Sequence, residues 1–292
     1  MELGVHISQF TFPGGPPQLA DDLTNIAVES EQLGFSKLSV MDHVWQILHL
    51  GPPEAEMLEA YTTLGYLAAR TEKIKLLAWV TGVVYRSPGL LAKAVTTLDV
   101  LSRGRAYLGI GAAWNEEESK GLGLFFPPMA ERFERLEEAL QICLQMWSND
   151  DGKYGGKHYT LERTLNSPQA LSKPHPPILI GGGGEKKTLR LVALYGDACN
   201  LFAYDPSEVE HKLDVLRQHC EQVGRDYNSI EKTVMGAMDP GPNGENVDSM
   251  LETMRAMHEL GVTHFHGTVP DVASIKPLEI LAERVIPEAA KF

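Results

Sequence analysis

Short apolar runs rich in β-branched residues alternate with longer segments of helical periodicity along almost the whole chain. Runs of four to eight such residues, bounded by glycine, proline or polar residues, are typical of buried β-strands. Eight of these runs occur. We predict strands at residues 3–8, 36–41, 75–80, 106–110, 178–180, 198–202, 232–235 and 263–266.

Between the runs, apolar side chains recur every three to four residues, which indicates helices that bury one face. The clearest helix begins near Asp205, which can cap it, while Pro206 fits its first position and Glu208 can reach back to the cap amide. The same periodicity predicts further helices at residues 19–33, 57–70, 90–101, 133–147, 186–195, 247–260 and 272–284.

Eight strands alternating with eight helices in 292 residues are the count and size expected of a (β/α)₈ barrel. A doubly wound open sheet is the alternative, because alternation alone does not give the strand order. One irregular stretch, at about residues 148–177, interrupts the rhythm with glycines, prolines and acidic residues. We interpret it as an insertion within a single domain that spans residues 1–292.

Composition and charge narrow the class of protein. The 26 basic and 39 acidic side chains give a net charge of -13, which opposes a nucleic-acid partner. The three cysteines, Cys143, Cys199 and Cys220, include no closely spaced pair, which argues against disulfides and against a cysteine zinc site. No signal peptide and no apolar run of about 20 residues is present, so we expect a cytoplasmic protein with small-molecule substrates and no membrane partner.

In a barrel of this kind, functional groups lie at the carboxyl ends of the strands and in the loops that follow them. Asp42 and His43 follow the second strand. His43 can exchange a proton near neutral pH, and Asp42 can bind the donor groups of a ligand. The alternative is a loop histidine beside an aspartate that caps the next turn.

The third and fourth strands end in residues suited to a flat ligand. Trp79 and Thr81 place an aromatic ring and a hydroxyl at the end of the third strand, although packing of a buried strand end is the alternative. After the fourth strand, the bare backbone at Gly111 permits close approach by a planar ring, to which Asn115 can hydrogen-bond. This segment is not a dinucleotide fingerprint, because Trp114 stands where a glycine belongs.

A run of four glycines follows the fifth strand and precedes a helix. Consecutive backbone amides and the helix N-terminus favour a phosphate there, whereas a flexible connector is the alternative. Lys186, together with Lys187 and Arg190, adds positive charge beside the run. The run consists of Gly181, Gly182, Gly183 and Gly184.

Histidines supply a competing hypothesis. His264 and His266 lie on one face of the last strand, and His6 on the first strand would be their neighbour in a closed barrel. This outline is similar to a metal site, but such a site usually needs further ligands. Inward core side chains with hydrogen-bonded rings are the alternative that we favour.

At these residues the sequence resembles the luciferase-like monooxygenase superfamily, in particular its branch of coenzyme F420-dependent oxidoreductases. The resemblance is strong up to about residue 205 and holds in outline beyond it. The segments that carry it are Met41-Asp42-His43 and residues 85–93, 97–105, 109–118, 131–138 and 177–184.

The resemblance implies a (β/α)₈ TIM barrel of the bacterial-luciferase-like type, usually dimeric, with a deazaflavin or flavin ring across its mouth. It implies that Asp42 contacts the ring system and that His43 occupies a position used as acid or base in some relatives. It also implies a bulge at the end of the third strand that backs the ring. Relatives often carry a small hydroxyl residue where Ala78 stands, so this chain departs from the pattern there.

The predicted function is hydride transfer between coenzyme F420 and a small organic substrate, with His43 as proton donor or acceptor and Glu117 as a second catalytic candidate. We predict no metal. The predicted cofactor site consists of Asp42, Ala78, Trp79, Thr81, Gly111, Asn115, Gly181, Gly182, Gly183, Gly184 and Lys186.

Three alternatives remain open at this point. The first is an FMN-dependent monooxygenase that reacts with oxygen and receives reduced flavin from a reductase partner; FMN lacks the anionic tail of F420 and needs less compensating charge. The second is a metal-dependent hydrolase that uses His6, His264 and His266. The third is a cofactor-binding relative without catalytic activity.

Overall fold

The computed structural model describes residues 1–292, and its main feature is a sheet of parallel strands that closes on itself. Its strands are β1 (Glu2–Ile7), β2 (Lys37–Val40), β3 (Lys75–Ala78), β4 (Thr81–Gly82), β5 (Leu108–Gly111), β8 (Ile178–Gly181), β9 (Ala198–Phe202), β10 (Glu231–Ala237) and β11 (His264–Thr268). Hydrogen-bonded neighbours follow the order β3-β2-β1-β11-β10-β9-β8-β5-β4. A bridge between Leu76 of β3 and Ala106, just before β5, completes the ring.

β3 and β4 are two parts of one barrel strand, which is interrupted at Trp79 and Val80. The nine strand segments therefore correspond to the eight strands of the barrel. The predicted (β/α)₈ barrel is therefore confirmed. The doubly wound alternative is wrong, because the strands follow one another around the ring in chain order and no strand reverses that order.

Helices cover the outside of the barrel. They are α1 (Leu19–Gln32), α2 (Ala60–Ala68), α3 (Pro88–Leu101), α4 (Glu116–Gly121), α5 (Met129–Met146), α6 (Thr188–Tyr195), α7 (Pro206–Val223), α8 (Val247–Glu259), α9 (Lys276–Arg284) and α10 (Ile286–Ala289). Asp205 caps α7 as predicted, by accepting a hydrogen bond from the amide of Ser207. α2 begins at Ala60, later than predicted, because Glu59 accepts hydrogen bonds from the amides of Tyr61 and Thr62 and caps the helix there. None of these helices combines the length and apolar character needed to cross a membrane.

Side chains alternate between the barrel interior and the layer beneath the helices, as the two-residue period of a strand requires. On β2, Leu38 and Val40 join the large apolar core under the helices, whereas the buried Ser39 lies between them on the other face. A small separate interior cluster contains Leu77 and Trp79. Polar residues are buried inside the barrel as well, among them His6 of β1, Ser39 of β2 and His266 of β11.

The irregular segment at residues 148–177 contains a short hairpin, β6 (Tyr154–Gly155) with β7 (Thr160–Leu161), which the sequence did not predict. Two buried carboxylates fasten the segment to the outer helices. Glu138 of α5 accepts hydrogen bonds from the amides of residues 157–159, and Asp99 of α3 accepts hydrogen bonds from the amides of Leu171 and Ser172. The segment thus packs against the flank of the barrel formed by α3 and α5.

Candidate active site

A bulge at the end of β3 shapes the mouth of the barrel. The peptide bond between Trp79 and Val80 is cis. The carbonyl oxygen of Ala78 occupies the space where Gly109 would carry a side chain, since a Cβ there would lie 2.1 Å from that oxygen. A Cβ on Gly111 or on Gly181 would lie 3.0 or 2.9 Å from a methyl group of Val80. Glycines on β5 and β8 therefore make room for the bulge.

The three residues predicted at this strand end have different environments. The side chain of Ala78 is fully buried in the core under the helices, so only its backbone faces the bulge. Thr81 is also fully buried, and its hydroxyl lies 2.7 Å from the hydroxyl of Tyr61. Trp79 alone directs a large side chain into the barrel.

The indole of Trp79 stacks on His266, with ring centroids 4.0 Å apart and planes 1° from parallel. Nε2 of His266 lies 2.6 Å from the hydroxyl of Ser39, which lies 2.7 Å from Nδ1 of His6. Burial lowers the pKa of His6 to about 3 and holds that of His266 well below its ordinary value. These rings are therefore neutral at physiological pH and form an uncharged floor beneath the mouth.

His6, His264 and His266, the ligands of the hypothetical metal site, do lie near one another inside the barrel. The ring centroids of His6 and His266 are 6.1 Å apart, and those of His264 and His266 are 5.8 Å apart. Ser39 is inserted between the first pair. No group of three or more histidine, cysteine or carboxylate side chains is arranged to hold a metal ion. His6 and His266 are therefore buried rings linked through the hydroxyl of Ser39, whereas neither ring nitrogen of His264 has a hydrogen-bond partner.

Asp42 lies just beyond β2 and is 3 % exposed. Its two oxygens accept hydrogen bonds of 2.7 and 2.8 Å from the guanidinium of Arg86, and one also accepts a bond of 3.1 Å from the amide of Gly82. Burial raises the pKa of Asp42, and the bonds from Arg86 oppose that rise. Arg86 stays protonated, since its bonds to Asp42 and Glu59 outweigh burial and raise its pKa, so we regard the pair as ionised.

His43, the next residue, is held by a buried glutamate that the sequence did not single out. Its Nδ1 lies 2.7 Å from Oε2 of Glu118, a fully buried residue at the start of α4. The same carboxylate accepts hydrogen bonds from the hydroxyl of Tyr85 at 2.9 Å, the amide of Val44, and the amide of Trp45 at 3.2 Å. The contact with Glu118 thus fixes the orientation of the imidazole, and it occupies Nδ1 but not Nε2.

Glu117, the predicted second catalytic residue, precedes Glu118 on the same helix but lies on its exposed side. It lines a small cleft together with Asn115, whose side-chain oxygen caps α4 by accepting a hydrogen bond of 3.4 Å from the amide of Glu118. Trp114 lines the same cleft, with its ring centroid 5.5 Å from that of His43 in an edge-to-face arrangement. The residues after β5 thus approach those after β2.

The glycine run follows β8, the strand that pairs with β5 in the barrel. Gly182 has a φ of +113°, which favours glycine, and its amide donates to the carbonyl of Asn200 at 3.3 Å. Lys186 is exposed and forms no ion pair, whereas Lys187 lies over the ring of Phe133 at 5.3 Å. The run therefore leads into α6 with at least one free cation beside it.

Lys212 of α7 is a further cation at this loop that sequence reasoning missed. A Cβ on Gly183 would lie 3.8 Å from Cε of Lys212. Nζ of Lys212 donates a hydrogen bond of 2.6 Å to Oε1 of Glu185. Lys212 lies far from the glycines in sequence, so no local motif could reveal the contact. The carboxylate of Glu185 partly neutralises the positive charge of this lysine.

These features fit a flat redox cofactor with a phosphate. The bulge and the neutral Trp79–His266 stack form a platform, and the indole Nε1 of Trp79 is buried without a hydrogen-bond partner. The glycine run offers backbone amides and nearby lysines to a phosphate. Asp42 is fully engaged by protein donors, so its predicted contact with the ring is not required by this geometry and stays a prediction.

The sequence profile of the family described as luciferase-like monooxygenase matches residues 1–272. The chain belongs to this family. The resemblance inferred from the sequence is thereby confirmed, and the match extends well beyond residue 205.

Relatives of this luciferase-like chain include F420-dependent glucose-6-phosphate dehydrogenases. The protein from Kineococcus radiotolerans is 27% identical over 300 residues, which cover 98% of this chain and 83% of the relative. The one from Nocardia farcinica is 30% identical over 244 residues, which cover 80% and 67%.

Solved structures share the fold at lower identity. An F420-dependent secondary alcohol dehydrogenase in complex with an F420-acetone adduct gives a TM-score of 0.82 at 19% identity, covering 99% of this chain and 98% of its own. The FMN-bound oxygenating constituent of 3,6-diketocamphane monooxygenase from Pseudomonas putida gives 0.75 at 16% identity, covering 98% of both. The luciferase-like barrel is thus found with both cofactors.

Glu118 should stabilise the folded luciferase-like chain in a pH-dependent way. Burial alone would raise the pKa of Glu118, but the hydrogen bonds from His43 and the Val44 amide outweigh it and lower that pKa. A carboxylate with a lowered folded-state pKa stabilises the fold above its unfolded pKa, and the stabilisation is lost as the pH falls through the folded value. We expect Glu118→Gln to cost about 1–3 kcal/mol of unfolding free energy at pH 7, as for bonds to a charged group.

Urea unfolding of both proteins between pH 3 and pH 7 measures this difference. The difference in unfolding free energy between the wild type and Glu118→Gln should shrink as the pH falls below the unfolded glutamate pKa of about 4.3. Glu117→Gln, an exposed neighbour on the same helix, is the matched control and should change stability by less than about 0.5 kcal/mol. A pH-independent loss for Glu118→Gln would contradict the assignment.

Proposed function

We propose that this protein is an oxidoreductase that transfers a hydride between coenzyme F420 and an alcohol or carbonyl group of a small organic substrate. The observation that carries the proposal is the imidazole of His43, which is oriented by Glu118 at the mouth of the barrel. Hydride transfer to or from such a group requires a proton acceptor or donor beside a flat redox ring. The F420-dependent relatives support the same assignment.

Each part of the site has a task in this proposal. The bulge at Trp79 and Val80 would back the ring, and the amides of the glycine run, with Lys186 and Lys212, would bind the phosphate. When bound, the cofactor supplies the hydride chemistry, and the protein supplies position, protons and exclusion of water.

His43 would act through Nε2, because Nδ1 is occupied by Glu118. In alcohol oxidation, Nε2 accepts the hydroxyl proton while the hydride leaves the carbinol carbon. The Glu118 carboxylate stabilises the imidazolium that results, and it fixes the tautomer beforehand. In carbonyl reduction the same atom returns the proton.

FMN-dependent monooxygenation is the second candidate. It is favoured by the small number of cations at the glycine run, because FMN carries one phosphate and lacks the anionic tail of F420. The FMN-bound structural relatives also support it. A flavin reductase would then be needed as partner. A homodimer, as the resemblance implies, is part of either proposal and is measurable by sedimentation.

Titration of the purified chain with F420 and with FMN, followed by the change in ligand fluorescence, tests the proposal. We expect saturable F420 binding with a Kd in the micromolar range, and FMN binding at least tenfold weaker. Tight FMN binding without a response to F420 would overturn the F420 assignment and favour the second candidate.

A further inference from the structure

The mouth of the barrel carries few cations that are available to a ligand. The loops after β1, β2, β9, β10 and β11 contain no lysine or arginine. In the loop after β4, Arg86 is paired with both Asp42 and Glu59. In the segment after β5, Lys120 is paired with Glu116 at 2.8 Å. Only the glycine run after β8 offers an unpaired lysine.

The nearest outer-helix cation to the loop after β5 is Arg132 of α5, which is only 7 % exposed and donates to the carbonyl of Ala113 at 2.7 Å, so it is held by the protein and not offered to a ligand. Lys276 and Arg284 of α9 lie near Glu245 in the loop after β10, whose pKa is lowered mainly by backbone hydrogen bonds and to a smaller extent by these two cations. Acidic side chains are frequent at the mouth, and Glu117 lines the cleft beside Trp114. Because Arg86 is paired and Arg132 is buried, a phosphate bound within reach of His43 would lose its hydration and meet carboxylates without an exposed, unpaired cation, which is costly.

The cleft near His43 is small and has two tryptophans in its walls. Its volume is about 190 Å³, and Trp45, Leu48, Pro53 and Trp114 line it together with polar residues that include the carboxylates Glu117 and Glu118. The ring of Trp45 packs over Gly121, where a Cβ would lie 2.1 Å from the indole, so a bare backbone position fixes this wall. Trp114 is 59 % exposed and so presents an uncovered aromatic face at the entrance.

We propose that the substrate is an uncharged alcohol, or the matching ketone or aldehyde, whose apolar or aromatic body occupies this cleft, and that sugar phosphates are excluded. This inference rests on the proposed function. In the oxidation direction, the carbinol C–H bond breaks and its hydride passes to the deazaflavin, while the O–H proton passes to His43 and from there to the reduced ring or to solvent. A C=O bond forms, so electrons and protons balance.

A paired binding and turnover experiment on the full chain tests this substrate class. Binding of acetophenone and of glucose 6-phosphate is followed by tryptophan fluorescence, with and without F420, and reduction of F420 by 1-phenylethanol or glucose 6-phosphate is followed by absorbance. We expect acetophenone to bind and 1-phenylethanol to be oxidised, with at least a hundredfold preference in kcat/KM over glucose 6-phosphate.

Variants locate the binding. Trp114→Ala should weaken acetophenone binding about tenfold, while the Kd of F420 stays unchanged. Phe125→Ala, which removes another exposed aromatic ring that does not line the cleft, is the matched control and should leave acetophenone binding unchanged.

The outcomes separate the two proposals. If F420 does not bind, the proposed function fails. If F420 binds and glucose 6-phosphate is oxidised as efficiently as 1-phenylethanol, only the substrate class is overturned. F420 binding without any binding of acetophenone would also overturn the substrate class.

Discussion

His43→Ala is expected to lower kcat with F420 and substrate by about 10²–10⁴-fold, the usual contribution of a general acid or base. The Kd of F420 should change by less than threefold, because the platform and the glycine run do not involve this imidazole. Steady-state kinetics and fluorescence titration of the same preparation measure the two effects.

The matched control for this substitution is His158→Ala. Nε2 of His158 also pairs with a glutamate, Glu134, at 2.7 Å, but it lies on the flank of the barrel near α5. The control removes a histidine–glutamate contact of similar geometry away from the mouth, so turnover should be retained. Equal losses in both variants would show that stability, and not proton transfer, explains the effect. Unchanged turnover in His43→Ala would remove its catalytic role.

Gly109→Ala is expected to have the largest effect on the fold of the mouth. The new Cβ would lie 2.1 Å from the carbonyl oxygen of Ala78, a backbone atom that cannot move without displacing the bulge. We expect a loss of about 3 kcal/mol of unfolding free energy, at the upper end for overpacking, together with loss of F420 binding. Denaturant unfolding and fluorescence titration measure both quantities.

Gly65→Ala is the matched control. Gly65 lies inside α2 with open space where its Cβ would stand, so the same chemical change should stabilise the protein by about 0.5–1 kcal/mol. If Gly109→Ala behaved like Gly65→Ala, the steric account of the bulge would be wrong.

The fold could be predicted from the alternation of apolar runs with helical segments, because each strand is buried on both faces and each helix carries one apolar stripe. The interruption at Trp79 and Val80 could not be predicted from the residues alone. The run at residues 75–80 is apolar throughout, and the room for the bulge comes from Gly109 and Gly181 on other strands. The hairpin at residues 154–161 was also missed, because its strands are only two residues long.

Asp42 and His43 could be predicted at the mouth because they follow a strand of the barrel, and the glycine run could be predicted there because four glycines follow another strand. The contacts that orient these residues come from distant parts of the chain. Arg86 holds Asp42 across 44 residues of sequence. Three consecutive glutamates follow Asn115, and composition could not distinguish Glu117 from Glu118, because only the rotation of α4 decides which one turns inward.

The uneven charge around the mouth also has a kinetic meaning. A net charge of -13 repels an anionic molecule at long range, whereas a lysine beside the glycine run acts only within a Debye length of about 8 Å at physiological salt. At low ionic strength, the encounter of an anionic cofactor with the mouth should therefore be slow, although the complex that forms is well held. Added salt relieves the distant repulsion before it weakens the local contact, so the acidic exterior governs how fast an anion arrives more than how long it stays.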